Sequence, residues 1–183
     1  ESVLKELATK FSFLMVGTLE PRKAYEQVLE AFERLWQEEL PLNLVLVGKQ
    51  GWMVEELVGQ VRSHHELNRR LFWLEGISDE YLEQMYLACT CLIAASYGEG
   101  FGLPLIEAAQ HKLPIIARDI PVFREVAGKN AFFFQTNNPM ELANNIQEWI
   151  QIFEIGQHPR SEEIPWITWE QSAEQLQSKL IQK

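Results

Sequence analysis

The stretch "GEGFGLPLIEA" (98–108) sets one carboxylate, Glu99, inside a run of three glycines and a second, Glu107, eight residues later. Gly98, Gly100 and Gly102 can take positive φ at little cost, so successive backbone N–H groups can turn into one concavity. Pro104 suits the first helical position, and a helix opening there aims further N–H groups the same way. Together these make an anion site built from backbone. Glu107 falls at about the first turn of that helix. It either complements the helix dipole or accepts hydrogen bonds from two neighbouring hydroxyls, as a ribose diol offers. Glu99 has no helix dipole to answer to, and beside a phosphate it is repelled unless it serves donors such as sugar hydroxyls. Hydroxyls at both ends with phosphates between describe a nucleoside diphosphate sugar. The G-x-G-x-G spacing differs from the dinucleotide fingerprint, which wants G-x-G-x-x-G after a first strand.

A second constellation lies in "VGTLEPRKAY" (16–25). Arg22 and Lys23 stand at the entrance of a helix, where the dipole disfavours each cation by roughly 0.3 kcal/mol or more. They are either a solvated surface pair or a clamp for pyrophosphate, which would reverse the sign of that term. Gly17 lets backbone come close to such a ligand. Lys49, after the next strand, either reaches the phosphates or is a plain surface lysine.

The elements that must position these groups alternate. Short apolar runs at 11–17, 42–48, 70–76, 91–96, 113–118 and 131–135 read as strands buried on both faces. Helical patterns at 24–36, 51–67, 79–88 (with Ser78 as N-cap), 104–111, 121–128 and 139–153 separate and follow them. This order predicts the α/β class: a Rossmann-like parallel six-stranded sheet with helices on both faces. Ligands of such sheets bind beyond the carboxyl ends of the strands, near the point where strand order reverses. Both constellations follow strand ends. Residues 1–153 are expected to form this domain, 154–167 a linker and 168–183 a closing helix.

Bulk properties narrow the field. The 183 residues are 46% apolar and carry a net charge of −10. That balance argues against a nucleic-acid partner while leaving room for a small anion in a locally positive pocket. No apolar run approaches the roughly 20 residues of a membrane span. Cys89 and Cys91, two apart on a predicted strand, are expected to share one face as buried apolar residues, which suits a reducing, cytoplasmic compartment. His64, His65, His111 and His158 show no metal-ligand spacing, so no metal is expected. The N-terminus shows no signal peptide, and its abrupt start before a strand suggests a piece of a longer chain.

"GEGFGLPLIEA" resembles the E-x7-E signature of the family-four retaining glycosyltransferases of GT-B architecture, and the chain from "FLMVG" to "TWEQSA" resembles the C-terminal, donor-binding half of such an enzyme. "VGTLEPRK", "LVGKQGW" and "ARDIPVFREVAG" resemble the corresponding segments of bacterial mannosyltransferases that build O-antigen or capsule polysaccharides from GDP-mannose. The resemblance implies that Glu99 contacts the transferred hexose near its reacting carbon, orienting it without forming a covalent bond, and that Glu107 contacts the ribose. It implies that the backbone of Gly100, Phe101, Gly102 and Leu103 faces the sugar and diphosphate, and that Lys23 is the diphosphate lysine. The strand-three end would bracket the base at Ile77. Asp79 either accepts from guanine or complements its helix terminus. Two departures stand out: Thr18 occupies the place of a common family arginine, whose charge Arg22 can supply, and Ala24 stands where a glycine is usual. The scheme requires no metal and no cofactor. Its transition state resembles an oxocarbenium ion leaving a diphosphate, by analogy with glycoside hydrolysis, with Arg22, Lys23 and helix N–H groups stabilising the leaving group. The glycan acceptor would bind an N-terminal domain absent from this chain, so the fragment alone is expected to bind nucleotide weakly and transfer nothing. Peripheral membrane association is expected of the full-length protein if the acceptor is lipid-linked. A noncatalytic nucleotide-sugar-binding domain and another GT-B enzyme, such as a sugar-nucleotide epimerase, remain alternatives.

Overall fold

The computed structural model describes residues 2–166 together with Gln171 and Gln177. Six strands, β1 (Phe11–Val16), β2 (Leu42–Val47), β3 (Leu71–Leu74), β4 (Cys91–Ala94), β5 (Ile115–Arg118) and β6 (Phe132–Phe134), form one sheet in the order β3-β2-β1-β4-β5-β6. Every pairing is parallel. The chain therefore reverses its direction of travel across the sheet between β1 and β4. The crevice at their carboxyl ends is where a doubly wound sheet offers a ligand site.

Alternation along the strands divides the core in two. Phe13 and Met15 point into one layer with α2 (Tyr25–Gln37), α3 (Glu55–Ser63) and α7 (Pro139–Glu154). Leu14 points into the other, against α1 (Ser2–Leu7), α4 (Asp79–Ala88), α5 (Leu103–Gln110) and α6 (Pro121–Ala127). The first layer is keyed by aromatics: the Phe13 ring meets Phe32 at 5.4 Å and Trp149 at 5.6 Å, both edge-on, the arrangement ring quadrupoles favour. Near the start of fully buried β2, Asn43 donates to Ser12 Oγ at 3.1 Å, and Ser12 Oγ donates to the Leu7 carbonyl at 2.9 Å. That polar link ties the strands to α1.

Ser78 caps α4 as expected, accepting from the Tyr81 N–H at 3.3 Å. The sequence reading differs from the structure in several places. Helix α1 was not anticipated; its Leu7 is buried and Val3 and Leu4 pack on the second layer. Helix α3 is confined to Glu55–Ser63 instead of 51–67. Cys89 and Cys91 do not share a face. Cys91 belongs to the first core layer and Cys89 to the second, because the strand begins only at Cys91 and Cys89 caps α4. Both thiols are free and buried. Within the stretch read as a linker, a 3-10 turn at Ser161–Glu163 carries a buried Ser161, and Ile164 packs into the second layer. The expected closing helix at 168–183 lies outside the described residues, apart from Gln171 and Gln177. Among the described residues no helix is long and apolar enough to cross a membrane.

Candidate donor site at the strand-order reversal

Past their last paired residues, β1 and β2 keep running side by side. Gly17 N–H donates to the Val47 carbonyl at 2.9 Å, Leu19 N–H to Lys49 at 2.9 Å, and Gly51 N–H to Leu19 at 3.0 Å. The approach is closest at Gly48, where a Cβ would lie 1.9 Å from the Gly17 carbonyl oxygen. Only glycine fits, and this contact fixes the start of the loop that carries the two cations. Leu19 is fully buried and anchors that loop while Thr18 faces solvent. Pro21–Lys23 form a single 3-10 turn, and Ala24 then takes φ 57° and ψ 33° before α2 begins. A non-glycine residue thus holds a left-handed conformation at this position.

The loop after β4 folds over this turn. Tyr97 N–H donates to the Arg22 carbonyl at 2.9 Å. Arg22 Nη1 donates to the Gly98 carbonyl at 2.8 Å and to Glu99 Oε2 at 2.8 Å. Lys23 Nζ pairs with Glu99 Oε1, and Ser96 Oγ donates to the same oxygen at 2.7 Å. Burial by itself would raise the Glu99 carboxyl, but hydrogen bonds from Lys23, Ser96 and Arg22 outweigh it and hold the group below its ordinary range. The hydrogen bond to Glu99 likewise raises the Arg22 guanidinium. Glu99 thus has three side-chain partners among the described residues. Ser96 is three residues away, but the two cations lie 76 and 77 residues away in the chain, where spacing alone gives no signal.

Of the three glycines in the motif only Gly102 has positive φ, 83°. A Cβ there would also press the Phe123 ring at 3.1 Å. Gly98 and Gly100 adopt ordinary backbone angles, and a Cβ on either would meet nothing within 4 Å. Positive φ, open to all three by residue type, is used at Gly102 alone among them. What the first two glycines provide is a bare surface around Glu99. Phe101 and Leu103 stand exposed on either side of Gly102, at 59% and 46%.

Glu107 occupies the second turn of α5, not the first, because the helix already begins at Leu103. Its charge therefore gains little from the dipole, which fades within one turn. Its Oε2 instead accepts a 2.5 Å hydrogen bond from the Tyr86 hydroxyl. A small cavity of about 20 Å³, room for a single water, lies under the crevice among Lys23, Tyr25, Ser96, Glu99, Pro104 and Phe123. Glu107 does not line it, but Pro104 and Leu105 of the same helix do. Elsewhere, Lys49 is exposed with no ion pair among the described residues. Ile77 is partly buried against the second layer, and Asp79 is exposed at the first position of α4, where a carboxylate suits the dipole. Gly17, Arg22, Lys23 and Glu99 thus come together, while Lys49, Ile77 and Asp79 lie on neighbouring strand ends.

One residue that the sequence reading passed over sits beneath this loop. Arg118, at the end of β5, is 4% exposed and has no carboxylate partner among the described residues. Its fork donates to the carbonyls of Ala95 (2.7 Å) and Thr136 (2.9 Å), to Asn137 Oδ1 (2.8 Å) and to Gln27 Oε1. The guanidinium lies 4.4 Å from the Tyr97 ring centre and 4.9 Å from that of Phe134, contacts that favour a desolvated cation. Burial lowers its pKa. An arginine closing the otherwise apolar run "IIAR" was the available signal. No cluster of three or more metal-ligating side chains occurs among the described residues.

Residues 2–158 match the family described as glycosyl transferases group 1. Over 180 residues the chain is 53% identical to the serotype-specific mannosyltransferase WbdA of Escherichia coli, covering 98% of this chain and 22% of that protein. The chain thus spans about a fifth of the length of this curated relative. Among solved structures, the sucrose-phosphate synthase of Thermosynechococcus elongatus superposes with a TM-score of 0.77 at 25% identity, over 96% of this chain and 46% of the other. HepE of Anabaena, in complex with UDP-glucose, gives 0.69 at 25% identity over 85% and 42%.

Proposed function

The chain belongs to the glycosyl transferases group 1 family, and from that premise we propose that it is the donor-binding half of a retaining hexosyltransferase, which takes mannose from GDP-mannose and adds it to a polysaccharide or lipid-linked glycan. The observation that carries this reading is the gathering of Arg22, Lys23 and Ser96 around Glu99 at the reversal between β1 and β4. Arg22 and Lys23 share Glu99, and Arg22 also pairs with Glu20 at 3.3 Å, so a diphosphate would take the two cations over from these carboxylates. On donor binding, Arg22 and Lys23 shift from Glu99 to the phosphate oxygens. Glu99 is then free to accept from the hydroxyls of the hexose.

In the transfer step the bond between the anomeric carbon and the diphosphate oxygen breaks, and its electron pair leaves with the diphosphate. Arg22, Lys23 and the N-terminal amides of α5 stabilise that developing charge. The acceptor oxygen bonds to the same face of the sugar and passes its proton to the departing diphosphate oxygen. Glu99 orients the ring and Glu107 holds the ribose. Ile77 and Asp79, at the end of β3, are within the region that would receive the base, and Lys49 is available to the phosphates. The acceptor would be held by a further domain of the whole protein, working in the cytoplasm.

Calorimetric titration with GDP, UDP and ADP tests the donor. GDP binding at least tenfold tighter than the others supports the reading, and preference for UDP or ADP overturns the mannose assignment. Glu99→Ala in the complete protein, assayed for transfer from GDP-mannose, separates an enzyme from a domain that only binds. Unchanged transfer would remove Glu99 from the mechanism.

A further inference from the structure

Tyr86, on α4, is 2% exposed and is packed into the second core layer. Its hydroxyl reaches out of that layer to Glu107 Oε2 at 2.5 Å, a length typical of a charge-assisted O–H···O⁻ bond. The ring stacks on His111, with centroids 5.2 Å apart and planes 10° from parallel. His111 Nδ1 lies 2.8 Å from the Glu107 carbonyl oxygen. A carbonyl only accepts, so Nδ1 carries the proton. Glu107 is therefore gripped at side chain and backbone by two rings that are themselves locked face to face. A carboxylate has about four acceptor sites, and Tyr86 occupies one of the two on Oε2. Oε1 has no hydrogen-bond partner among the described residues, and Glu107 is partly open to solvent.

We infer that Tyr86 is a positioning residue for the nucleoside: by holding Glu107 Oε2 it fixes the carboxylate so that Oε1 stands ready to accept from the vicinal hydroxyls of the donor's ribose. The inference rests on the assignment of Glu107 to the ribose made above. It adds that a buried phenol, 21 residues away in the chain, sets the direction of that carboxylate. Without the phenol the carboxylate samples several rotamers, and ligand binding must bear the cost of ordering it. A tyrosine that merely satisfies its own buried hydroxyl would have no effect specific to the diol.

The experiment titrates GDP and 2′,3′-dideoxy-GDP into the complete protein and its Tyr86→Phe variant by calorimetry. Phenylalanine keeps the ring and its packing, and any unfolded fraction lowers the apparent stoichiometry of both titrations without changing their ratio of affinities. The expected result is that Tyr86→Phe weakens GDP about tenfold, the size of one lost charge-assisted hydrogen bond, and leaves dideoxy-GDP unchanged. Equal loss for both ligands, or no loss for either, overturns the inference. Glu107→Gln with the same pair of ligands tests the underlying assignment. If it discriminates between them and Tyr86→Phe does not, Tyr86 alone is misassigned. If it does not discriminate, Glu107 is not the ribose residue and the inference falls with it.

Discussion

Gly48→Ala is the sharpest single test of how the sheet delivers the cations. The new Cβ would sit 1.9 Å from the Gly17 carbonyl oxygen and 3.3 Å from the Thr18 nitrogen, with φ at 155°. Real Cβ contacts stay beyond 3.0 Å, so the two strand extensions must part by roughly an ångström. Overpacking of this kind costs about 1–3 kcal/mol, and left-handed strain adds about 1 kcal/mol or more. A total of about 3 kcal/mol lowers Tm by about 6–12 °C in a domain of this size. Because Gly17 leads directly into the turn holding Arg22 and Lys23, GDP affinity falls as well. Gly59→Ala is the matched control. Gly59 lies exposed in α3 with nothing within 4 Å of a Cβ, so alanine there gains about 1 kcal/mol of helix propensity and raises Tm by about 2–4 °C. Urea titration and differential scanning calorimetry measure both variants. If Gly48→Ala unfolds with wild-type stability and binds GDP unchanged, the close approach of the two loops does not organise the site.

Glu99→Gln removes the carboxylate that Arg22 and Lys23 share, leaving Arg22 its pair with Glu20, so GDP should bind up to about fivefold tighter, the range expected for partly exposed ion pairs, while transfer from GDP-mannose falls sharply; weaker GDP binding would contradict the competition. The depressed Glu99 pKa makes its contribution to stability present above the ordinary carboxyl value of 4.5 and lost as pH falls through the folded value. Wild type should therefore lose stability more steeply than Glu99→Gln in acid below about pH 4.5, read from urea midpoints across a pH series. Arg118→Met strands the Ala95 carbonyl and the Gln27 Oε1 in the interior, for a loss of about 3 kcal/mol and a Tm lower by about 6–12 °C. Arg118→Lys should recover only part of it, since an ammonium lacks the fork; full recovery would show that charge alone is needed.

The sheet was legible because strands buried on both faces must be apolar almost throughout. "LNLVLV" and "CLIA" therefore stand out, and their alternation with helical stripes leaves little choice of topology. Helix α1 was not legible. "SVLKEL" is too short to be stable by propensity, and it exists because Leu7 and its neighbours find the second core layer. The site was half legible. Residue types and the eight-residue spacing marked Glu99 and Glu107, and the charges marked Arg22 and Lys23. Which glycine bends the chain was not readable, because Gly98, Gly100 and Gly102 are identical as residues and only Gly102 meets a neighbour that requires it. The residues that hold the site, Ser96, Tyr86 and Arg118, act through contacts with no period in sequence. Gly48 is needed only because another strand's backbone passes within van der Waals reach, which is a fact of packing.

The claim on which the account turns is that the crevice between β1 and β4 cradles a diphosphate through Lys23. Calorimetric titration of GDP into the complete protein and into Lys23→Met tests it most directly. The account predicts affinity at least tenfold weaker in the variant at low salt, with a cooperative melting curve at a somewhat lower Tm because Glu99 loses one of its two cations. Equal affinity in the two proteins would contradict it.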